Sequence, residues 1–210
     1  QALALLPQKA AFLPASRTLL IADAHIGKAV SFRKLGVPVP RGTTSATLEV
    51  LAGLVTRHEA RRIVFLGDFL HSARSHAPST LGAVARWRAA HPALELLLVR
   101  GNHDDRAGDP PASLAIEVVD EPLRVGGLAL SHHPRPVAGA YVLAGHLHPC
   151  VSLGGSALDR LRLPCFHFGS EVGVLPAFGQ FTGMRAIRRA PGDRVFVVAD
   201  GGVAALPRGR

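Results

Sequence analysis

Five short motifs in the sequence carry aspartate, asparagine and histidine, side chains that bind divalent metal ions in proteins. Each motif follows an apolar run of the kind that forms a buried strand. In chain order they are DAH (Asp23, His25), GD (Asp68), GNHD (Asn102, His103, Asp104), SHH (His132, His133) and GHLH (His146, His148). Because ligands of α/β sheets bind at the carboxyl ends of strands, we expect these side chains to lie close together.

The motifs carry little information singly and much more as a set. A lone Asp-x-His or His-x-His is more often a surface pair or a hydrogen-bonded core histidine than a metal site. Asp104 after GNH is also typical of a residue that caps a turn. Together, however, the five motifs supply enough oxygen and nitrogen donors for two divalent ions that share one site.

The spacing inside the motifs indicates how such ions would be shared. Asp23 and His25 are two residues apart, so in an extended segment their side chains point the same way and can bind one ion together. His146 and His148 have the same spacing and are expected to reach two different ions about 3.5–4 Å apart. Asp68, with two carboxylate oxygens, is suited to bridge the pair.

The elements that position these motifs differ between the two halves of the chain. In the first half, apolar runs predict buried strands at 18–23, 62–68 and 94–102, separated by helical patterns at 42–60 and 78–91. Thr43 or Thr44 is the expected N-cap of the first helix, and Pro78 is expected to begin the second.

From residue 115 onward, strands and turns predominate. They are predicted at 116–125, 128–133, 140–146, 162–169, 184–190 and 194–206. The chain of 210 residues has no internal repeat and no long linker, so we predict a single domain over residues 1–210. Its architecture is expected to be two β-sheets packed on each other with helices outside.

The composition of the chain limits its expected cellular location and the kind of partner that it can bind. The apolar runs are far shorter than the roughly 18 residues of a membrane span, the N-terminus lacks a secretory signal, and Cys150 and Cys165 form neither a disulfide framework nor a CxxC metal site. We therefore expect a soluble cytoplasmic protein with no membrane association. The net charge of +9 suits a polyanionic partner, although a composition rich in Arg explains it equally well.

The ordered motifs resemble the signature of the calcineurin-like metallophosphoesterases. That signature reads D-x-H, GD, GNH[DE], an isolated strand-end His and GHxH, and the match spans residues 23–148. The resemblance implies an α/β (α+β) fold of the αββα type. In this fold two mixed β-sheets pack as a sandwich flanked by helices, and a dimetal site lies at the carboxyl ends of strands.

The same resemblance implies a ligand set for each ion. It places Asp23, His25, Asp68 and His148 on the first ion, and Asp68, Asn102, His132 and His146 on the second. Between His132 and His133, the pattern favours His132 at the end of LALS. Mixed oxygen and nitrogen ligation suits Mn²⁺, the metal we expect, and also Fe²⁺ or Zn²⁺, with Mg²⁺ a further alternative.

The implied reaction is phosphodiester hydrolysis. A metal-bound hydroxide attacks the phosphorus, and the leaving alkoxide then needs a proton. His103 is the candidate donor because it lies beside Asn102 and is not needed as a ligand, and Asp104 is expected to orient its ring. A structural histidine in a turn is the alternative for His103.

A narrower resemblance covers residues from about 18 to 206. The segments LLIADAHIGKAVSFRKLGVPVPRGTT, RGNHDD, LAGHLHP, DRLRLPCFHFG, LPAFGQFTGM and APGDRVFVVADG are similar to the bacterial ligase-associated DNA damage response endonuclease family, which is encoded with a DNA ligase and a helicase. Ala24 and Phe69 depart from the commoner Leu without removing a ligand. This resemblance implies DNA as the substrate, a role in DNA repair and functional association with the ligase and the helicase.

Several side chains are candidates for contact with a polymer substrate. They are Lys28, Arg33, His71 and His133. The two cations follow the first metal motif, where they can meet flanking phosphates, but solvated surface charge explains them nearly as well. Phe178 and Phe181 lie among glycines and indicate either a base-stacking loop or ordinary core packing.

Two other functions remain open. The same metal core serves small-molecule phosphoesterases that hydrolyse nucleotides, cyclic nucleotides or other phosphodiesters. A non-catalytic scaffold could keep the fold as a binding surface, but such scaffolds lose ligands or the acid histidine, and every expected position is filled here.

Overall fold

The fold is known from a computed structural model that describes residues 2–40, 42–154 and 161–207. Residue 41 and residues 159–160, which belong to two of the segments quoted above, lie outside the described residues. The strands of the described part are β1 (Ala4–Leu6), β2 (Ala10–Leu13), β3 (Thr18–Ala22), β4 (Arg62–Leu66), β5 (Glu95–Val99), β6 (Ile116–Val119), β7 (Leu123–Val125), β8 (Leu128–Ser131), β9 (Tyr141–Ala144), β10 (Pro149–Leu153), β11 (Leu161–Phe168), β12 (Val172–Val174), β13 (Arg185–Ala186), β14 (Arg194–Ala199) and β15 (Gly202–Ala205). The α-helices are α1 (Lys28–Lys34), α2 (Thr43–His58), α3 (Pro78–Ala90) and α4 (Asn102–Ala107).

The first sheet brings the ends of its central strands to one edge. Its order is β1-β2-β3-β4-β5-β6, and β3 to β6 are parallel. Ala22 pairs with Leu66, and Leu66 pairs with Val99, so three strands end at the same level. The DAH, GD and GNHD motifs therefore begin side by side.

Both faces of this sheet are buried, as expected for parallel strands covered on two sides. Along β3 the side chains alternate, with Leu19 and Ile21 facing the helices and Leu20 facing the second sheet. On the helix side, Leu51 of α2 and Trp87 of α3 join the same cluster. Burying each Leu or Ile stabilises the fold by roughly 1.5–3 kcal/mol.

The second sheet is mixed and holds the remaining histidine motifs. Its path is β13-β10-β11-β12-β9-β8-β7, and β14 pairs with β11 and β15. Its inner face contributes Leu130, Leu143 and Phe166 to the core between the sheets. The predicted sandwich of two mixed sheets is thus confirmed.

The outer face of the second sheet differs from that of the first. Its two small apolar clusters, around Val151 and Cys165 and around Ala129 and Val142, contain no residue of α1 to α4. Helices therefore flank the sandwich on one side in the described part of the chain, because the second half has no helical pattern to supply a second layer. No helix among residues 2–40, 42–154 and 161–207 is long and apolar enough to cross a membrane.

Several sequence-based boundaries need correction. Gly42, not a threonine side chain, caps α2, because its backbone has a φ of 84° in the left-handed region that glycine adopts freely. The segment 116–125 is not one strand, since it divides at Pro122 into β6 of the first sheet and β7 of the second. Pro78 does begin α3, as predicted.

Candidate metal centre

The candidate ligands lie where strands end and the backbone turns sharply. Five of them have a positive φ: Asp23 (52°), His25 (45°), Asp68 (54°), His146 (70°) and His148 (48°). Such values are uncommon outside glycine, although Asp and His adopt them more readily than most residues. Strained residues persist only where surrounding structure holds them, and they cluster at functional sites.

This backbone corrects one prediction. Asp23 and His25 do not lie on an extended segment, because both are in the left-handed region. The His25 N–H donates to the Asp68 carbonyl at 2.9 Å, which ties the turn after β3 to the turn after β4. The two side chains converge through this turn rather than through strand geometry.

The first group of ligand atoms, which we call cluster A, comprises Asp23, His25 and His148. The Nε2 atoms of His25 and His148 are 3.4 Å apart, and His148 Nε2 lies 3.5 Å from Asp23 Oδ1. The other ring nitrogen of His148, Nδ1, donates to the Gly183 carbonyl at 2.9 Å. This bond turns Nε2 toward the carboxylate.

The second group, cluster B, comprises Asn102, His132 and His146. His132 Nε2 is 3.0 Å from both Asn102 Oδ1 and His146 Nδ1. The His132 ring is fully buried, and its Nδ1 donates to the Leu66 carbonyl at 3.1 Å. As in cluster A, a main-chain carbonyl sets the tautomer and leaves a lone pair facing the cluster.

Asp68 lies between the clusters. One of its oxygens is 3.8 Å from His25 Nε2 of cluster A, and the other is 3.5 Å from His132 Nε2 of cluster B. The second oxygen also accepts the His103 N–H at 2.9 Å. Its carboxylate therefore faces both groups of ligand atoms.

The glycines of the motifs make room for these side chains. A Cβ on Gly67 would lie 2.1 Å from His132 Nδ1, and one on Gly101 would lie 2.5 Å from Asp68 Oδ1. A Cβ on Gly145 would lie 2.6 Å from Asp23 Oδ2. Each distance is well inside van der Waals contact, so the backbone at all three positions is packed directly against a candidate ligand.

The electrostatics of the clusters fit a cation. Burial and the charge of Lys28 hold the pKa of His25 far below its usual value. Burial also opposes a charge on His148, but the hydrogen bond and attraction of Asp23 raise its pKa. Imidazole rings and carboxylates that converge in a buried space form the nitrogen and oxygen donor set of a divalent metal ion.

His103 stands next to both clusters. Its Nδ1 donates to the His71 carbonyl at 2.7 Å, its Nε2 is 3.9 Å from Asp68 Oδ2, and its side chain is 31% exposed. The rings of His71 and His103 stack with centroids 5.0 Å apart. One ring nitrogen is thus anchored while the other is directed toward the site.

The expectation that Asp104 orients the His103 ring is wrong. The Asp104 carboxylate accepts the backbone N–H groups of Asp68 (2.7 Å), Gly101 (3.0 Å) and Leu70 (3.2 Å). Burial raises its pKa to about 6. Asp104 therefore holds the loop that presents Asp68. The carbonyl of His71, and not the carboxylate of Asp104, orients the His103 ring.

Among solved structures, the crystal structure of nuclease MPE from Pseudomonas putida has 48% sequence identity, with a TM-score of 0.88 over 98% of this chain and 96% of that chain. The chain belongs to the calcineurin-like metallophosphoesterase superfamily. It is a metal-dependent phosphoesterase.

Other solved structures are much more distant from this metallophosphoesterase. The phosphoesterase Yfce from E. coli has 14% identity and a TM-score of 0.44 over 91% of this chain and 99% of that chain. A protein of unknown function from Aquifex aeolicus has 17% identity and a TM-score of 0.43 over 62% of this chain and 78% of that chain. No family model matches the chain, and no curated protein does.

The predicted substrate residues of the metallophosphoesterase divide into two groups. Lys28 is half-buried at the start of α1, where burial lowers its pKa and Asp68 and Asp23 attract its charge. His71 stacks beside His103, and burial with the nearby Lys28 lowers its pKa to about 4. Arg33 is exposed and donates to the Pro40 carbonyl at 3.2 Å, so it is not brought to either cluster.

Glu121 is a residue that the sequence analysis missed. One of its oxygens accepts the N–H groups of His132 and His133 at 2.8 Å each, and the other binds His133 Nδ1 at 2.7 Å. It thus holds the backbone that presents cluster B. Glu121 lies directly before Pro122 and β7, a position that indicates a turn. The motif pattern does not indicate that Glu121 supports cluster B.

Proposed function

We propose that the protein is a two-metal phosphodiesterase that cleaves DNA as an endonuclease in DNA repair. The main support is the pair of clusters on either side of Asp68, in a chain that has 48% identity with a nuclease over almost its full length. The net charge of +9 agrees with a polyanionic substrate.

In this proposal each cluster would hold one ion, and Asp68 would be a ligand of both. Asp23, His25, Asp68 and His148 would hold the first ion, and Asp68, Asn102, His132 and His146 would hold the second. The observed distances support this division, since His148 faces His25 at 3.4 Å while His146 faces His132 at 3.0 Å. When bound, two divalent ions, which we expect to be Mn²⁺, supply an activated water and neutralise charge on the phosphate.

The chain itself supplies the proton for the leaving group. With Nδ1 donating to the His71 carbonyl, a protonated His103 presents its Nε2–H to the leaving oxygen. The side chain is 31% exposed, so the ring is open to solvent and substrate. Lys28, His71 and His133 lie around the clusters, and we assign them contacts with substrate phosphates. Arg33 can contribute only from outside the clusters.

A substrate panel tests this proposal. The purified protein with Mn²⁺ should cleave plasmid or single-stranded DNA in preference to bis(p-nitrophenyl) phosphate and 2′,3′-cyclic nucleotides. Intact DNA together with cleaved small esters would instead identify a small-molecule phosphoesterase. Loss of all activity despite bound metal would favour a non-catalytic scaffold. Asp68→Asn serves as the inactive control.

Three broader expectations accompany the proposal. A core that joins strands of both sheets supports one domain over residues 1–210.

The two buried cysteines, Cys150 and Cys165, are free, which agrees with a reducing cytoplasmic location. Functional association with a DNA ligase and a helicase follows only from the narrower family resemblance, and a pull-down with each purified partner would test it.

A further inference from the structure

A pocket of about 280 Å³ opens directly beside cluster A. Its walls include the candidate ligand His148, the Lys9 side chain and residues of the loop 179–184. Another pocket, of about 540 Å³, lies between Leu3 and Phe196 and has neither aspartate nor histidine in its lining. The smaller pocket has a candidate ligand, His148, in its wall and therefore adjoins the candidate metal centre.

Loop 179–184 is attached to cluster A through its main chain. The Gly179 N–H donates to the Asp23 carbonyl at 3.1 Å, and the Gly183 carbonyl accepts His148 Nδ1 at 2.9 Å. A Cβ on Gly179 would lie 2.5 Å from the Ala24 carbonyl oxygen, so the loop is packed against the turn after β3. Side chains of this loop are thus held at a fixed position relative to two candidate ligands.

The two phenylalanines of this region have different environments. Phe178 is 5% exposed and belongs to the core beneath the first sheet. Phe181 is 46% exposed, lines the pocket and has a φ of 56°. A bulky residue in the left-handed region is a backbone outlier, and an exposed aromatic ring contributes little to the core. The fold therefore presents Phe181 at the surface at a conformational cost.

Lys9 lines the same pocket as Phe181. It lies in the turn between β1 and β2 with a φ of 62°, and its Nζ donates to the Gly179 carbonyl at 3.3 Å. Burial lowers its pKa to about 8, and no carboxylate forms an ion pair with it in the described part of the chain. An ammonium group held this way has donors left for a phosphate or a base.

We propose that this pocket binds one nucleotide adjacent to the scissile phosphate of a single-stranded nucleic acid, with Phe181 stacked on the base and Lys9 in contact with its phosphate. The inference rests on the proposed function, because it assumes that the strand reaches cluster A. An unpaired base is required, since a base in a duplex has no free face for Phe181. The volume of about 280 Å³ lies just below the range of about 300–1,000 Å³ for small-molecule sites, so the pocket has room for at most one nucleotide.

Kinetics with Phe181→Ala and Phe181→Trp test the subsite. Loss of base stacking should raise KM for single-stranded DNA by roughly 5- to 100-fold, and the Trp variant should restore most of it. Leu153→Ala, which alters another exposed apolar side chain on β10, is the matched control and should leave KM unchanged. Lys9→Met should weaken the binding of single-stranded DNA. The slope of log affinity against log salt concentration should also fall by the amount expected for about one phosphate contact.

An abasic oligonucleotide separates stacking from a structural role. Removing the stacked base should raise KM for the wild-type protein, while the Phe181→Ala variant should show no further loss. If the abasic site and Phe181→Ala each raise KM, and the two increases multiply when they are combined, the inference is wrong. A KM for intact DNA that Phe181→Ala leaves unchanged would also overturn it.

Binding measurements distinguish this inference from the proposed function. Quenching of 2-aminopurine in a single-stranded oligonucleotide, measured with the slowly cleaving His103→Ala variant, should depend on Phe181. Phe181-dependent quenching without DNA cleavage by the wild type would contradict the nuclease proposal and support the subsite. DNA cleavage with quenching that is independent of Phe181 would support the nuclease and overturn the subsite.

Discussion

Clusters A and B are built from similar side chains but are supported differently. In cluster B, His132 is fully buried between the sheets, with its ring bonded to the Leu66 carbonyl of β4 and its N–H bonded to Glu121. In cluster A, His148 is 17% exposed and depends on the Gly183 carbonyl in a surface loop. His25 Nδ1 is buried without a hydrogen-bond partner in the described part of the protein.

This difference indicates that the two clusters would hold their ions with different firmness. The sandwich core and Glu121 hold His132 of cluster B, so the position of this ring should persist without metal. Cluster A is completed by loop 179–184, which also borders the pocket beside His148. We therefore expect the ion at cluster A to be the more exchangeable one and the one closer to the bound strand. The predictions below test this comparison.

Asp68 lies between the clusters and its carboxylate faces both, so its loss should have the largest effect. Asp68→Asn removes the shared carboxylate charge and should lower turnover by at least about 10³-fold, as expected for several kcal/mol of lost charge stabilisation. Metal content measured by mass spectrometry should fall at both clusters. Asp200→Asn, an exposed control, should change neither quantity. Retention of both ions with full activity would show that Asp68 is not shared.

His103 belongs to neither cluster and should affect catalysis alone. His103→Ala should slow DNA cleavage by about 10²- to 10⁴-fold, the usual contribution of a general acid. Turnover of bis(p-nitrophenyl) phosphate, whose leaving group needs little protonation, should change much less. Metal content should be unaltered. Loss of an ion from this variant would mean that His103 is a ligand and that the boundary between the clusters is misplaced.

Single-histidine variants should remove different ions. His148→Ala should empty cluster A and His146→Ala should empty cluster B, each leaving one ion and costing roughly 10²-fold in turnover. Electron paramagnetic resonance of Mn²⁺ should show coupled ions in the wild type and a single uncoupled ion in each variant. Both variants losing the same ion would contradict the separate assignment.

Glu121 should matter for cluster B only. Glu121→Ala leaves the N–H groups of His132 and His133 without their acceptor, and loss of such a supporting group costs about 10- to 100-fold in metal affinity. Titration calorimetry should detect the weakening in His148→Ala, which retains cluster B, and no weakening in His146→Ala. Glu121→Gln keeps one acceptor oxygen and should recover part of the affinity.

Acidification should release the ion of cluster A first. Asp23 raises the pKa of His148, whereas burial and the neighbouring His132 and His133 lower that of His146. A proton therefore competes with metal at His148 already above the usual histidine pKa of 6.5, and at His146 only below it. Affinity should fall by at most about tenfold per pH unit for one competing proton. Simultaneous release from both single-cluster variants would contradict this order.

The sequence predicted the three central strands of the first sheet, β3, β4 and β5, because each is a local apolar run, but it missed β1 and β2. Apolar runs end in Asp23, Asp68 and Asn102, and parallel pairing brings those ends together. The sandwich and the convergence of the histidine motifs also followed from these patterns. The left-handed turns at the ligands did not, since a positive φ is uncommon even for His and the sequence does not mark His146 or His25 as such a position.

Supporting contacts were the least predictable part of the site. The histidine rings are oriented by main-chain carbonyls of Leu66, His71 and Gly183, and a carbonyl has no sequence signature. Asp104 was misassigned because proximity in sequence suggested His103, whereas the fold turns its carboxylate toward backbone N–H groups. Glu121 was missed because it is distant in sequence from the ligands it supports.

Anomalous diffraction from crystals grown with Mn²⁺ tests the central claim most directly. The account predicts two peaks about 3.5–4 Å apart, one against cluster A and one against cluster B, with Asp68 in contact with both. A single peak, or two peaks of which only one touches Asp68, would contradict it.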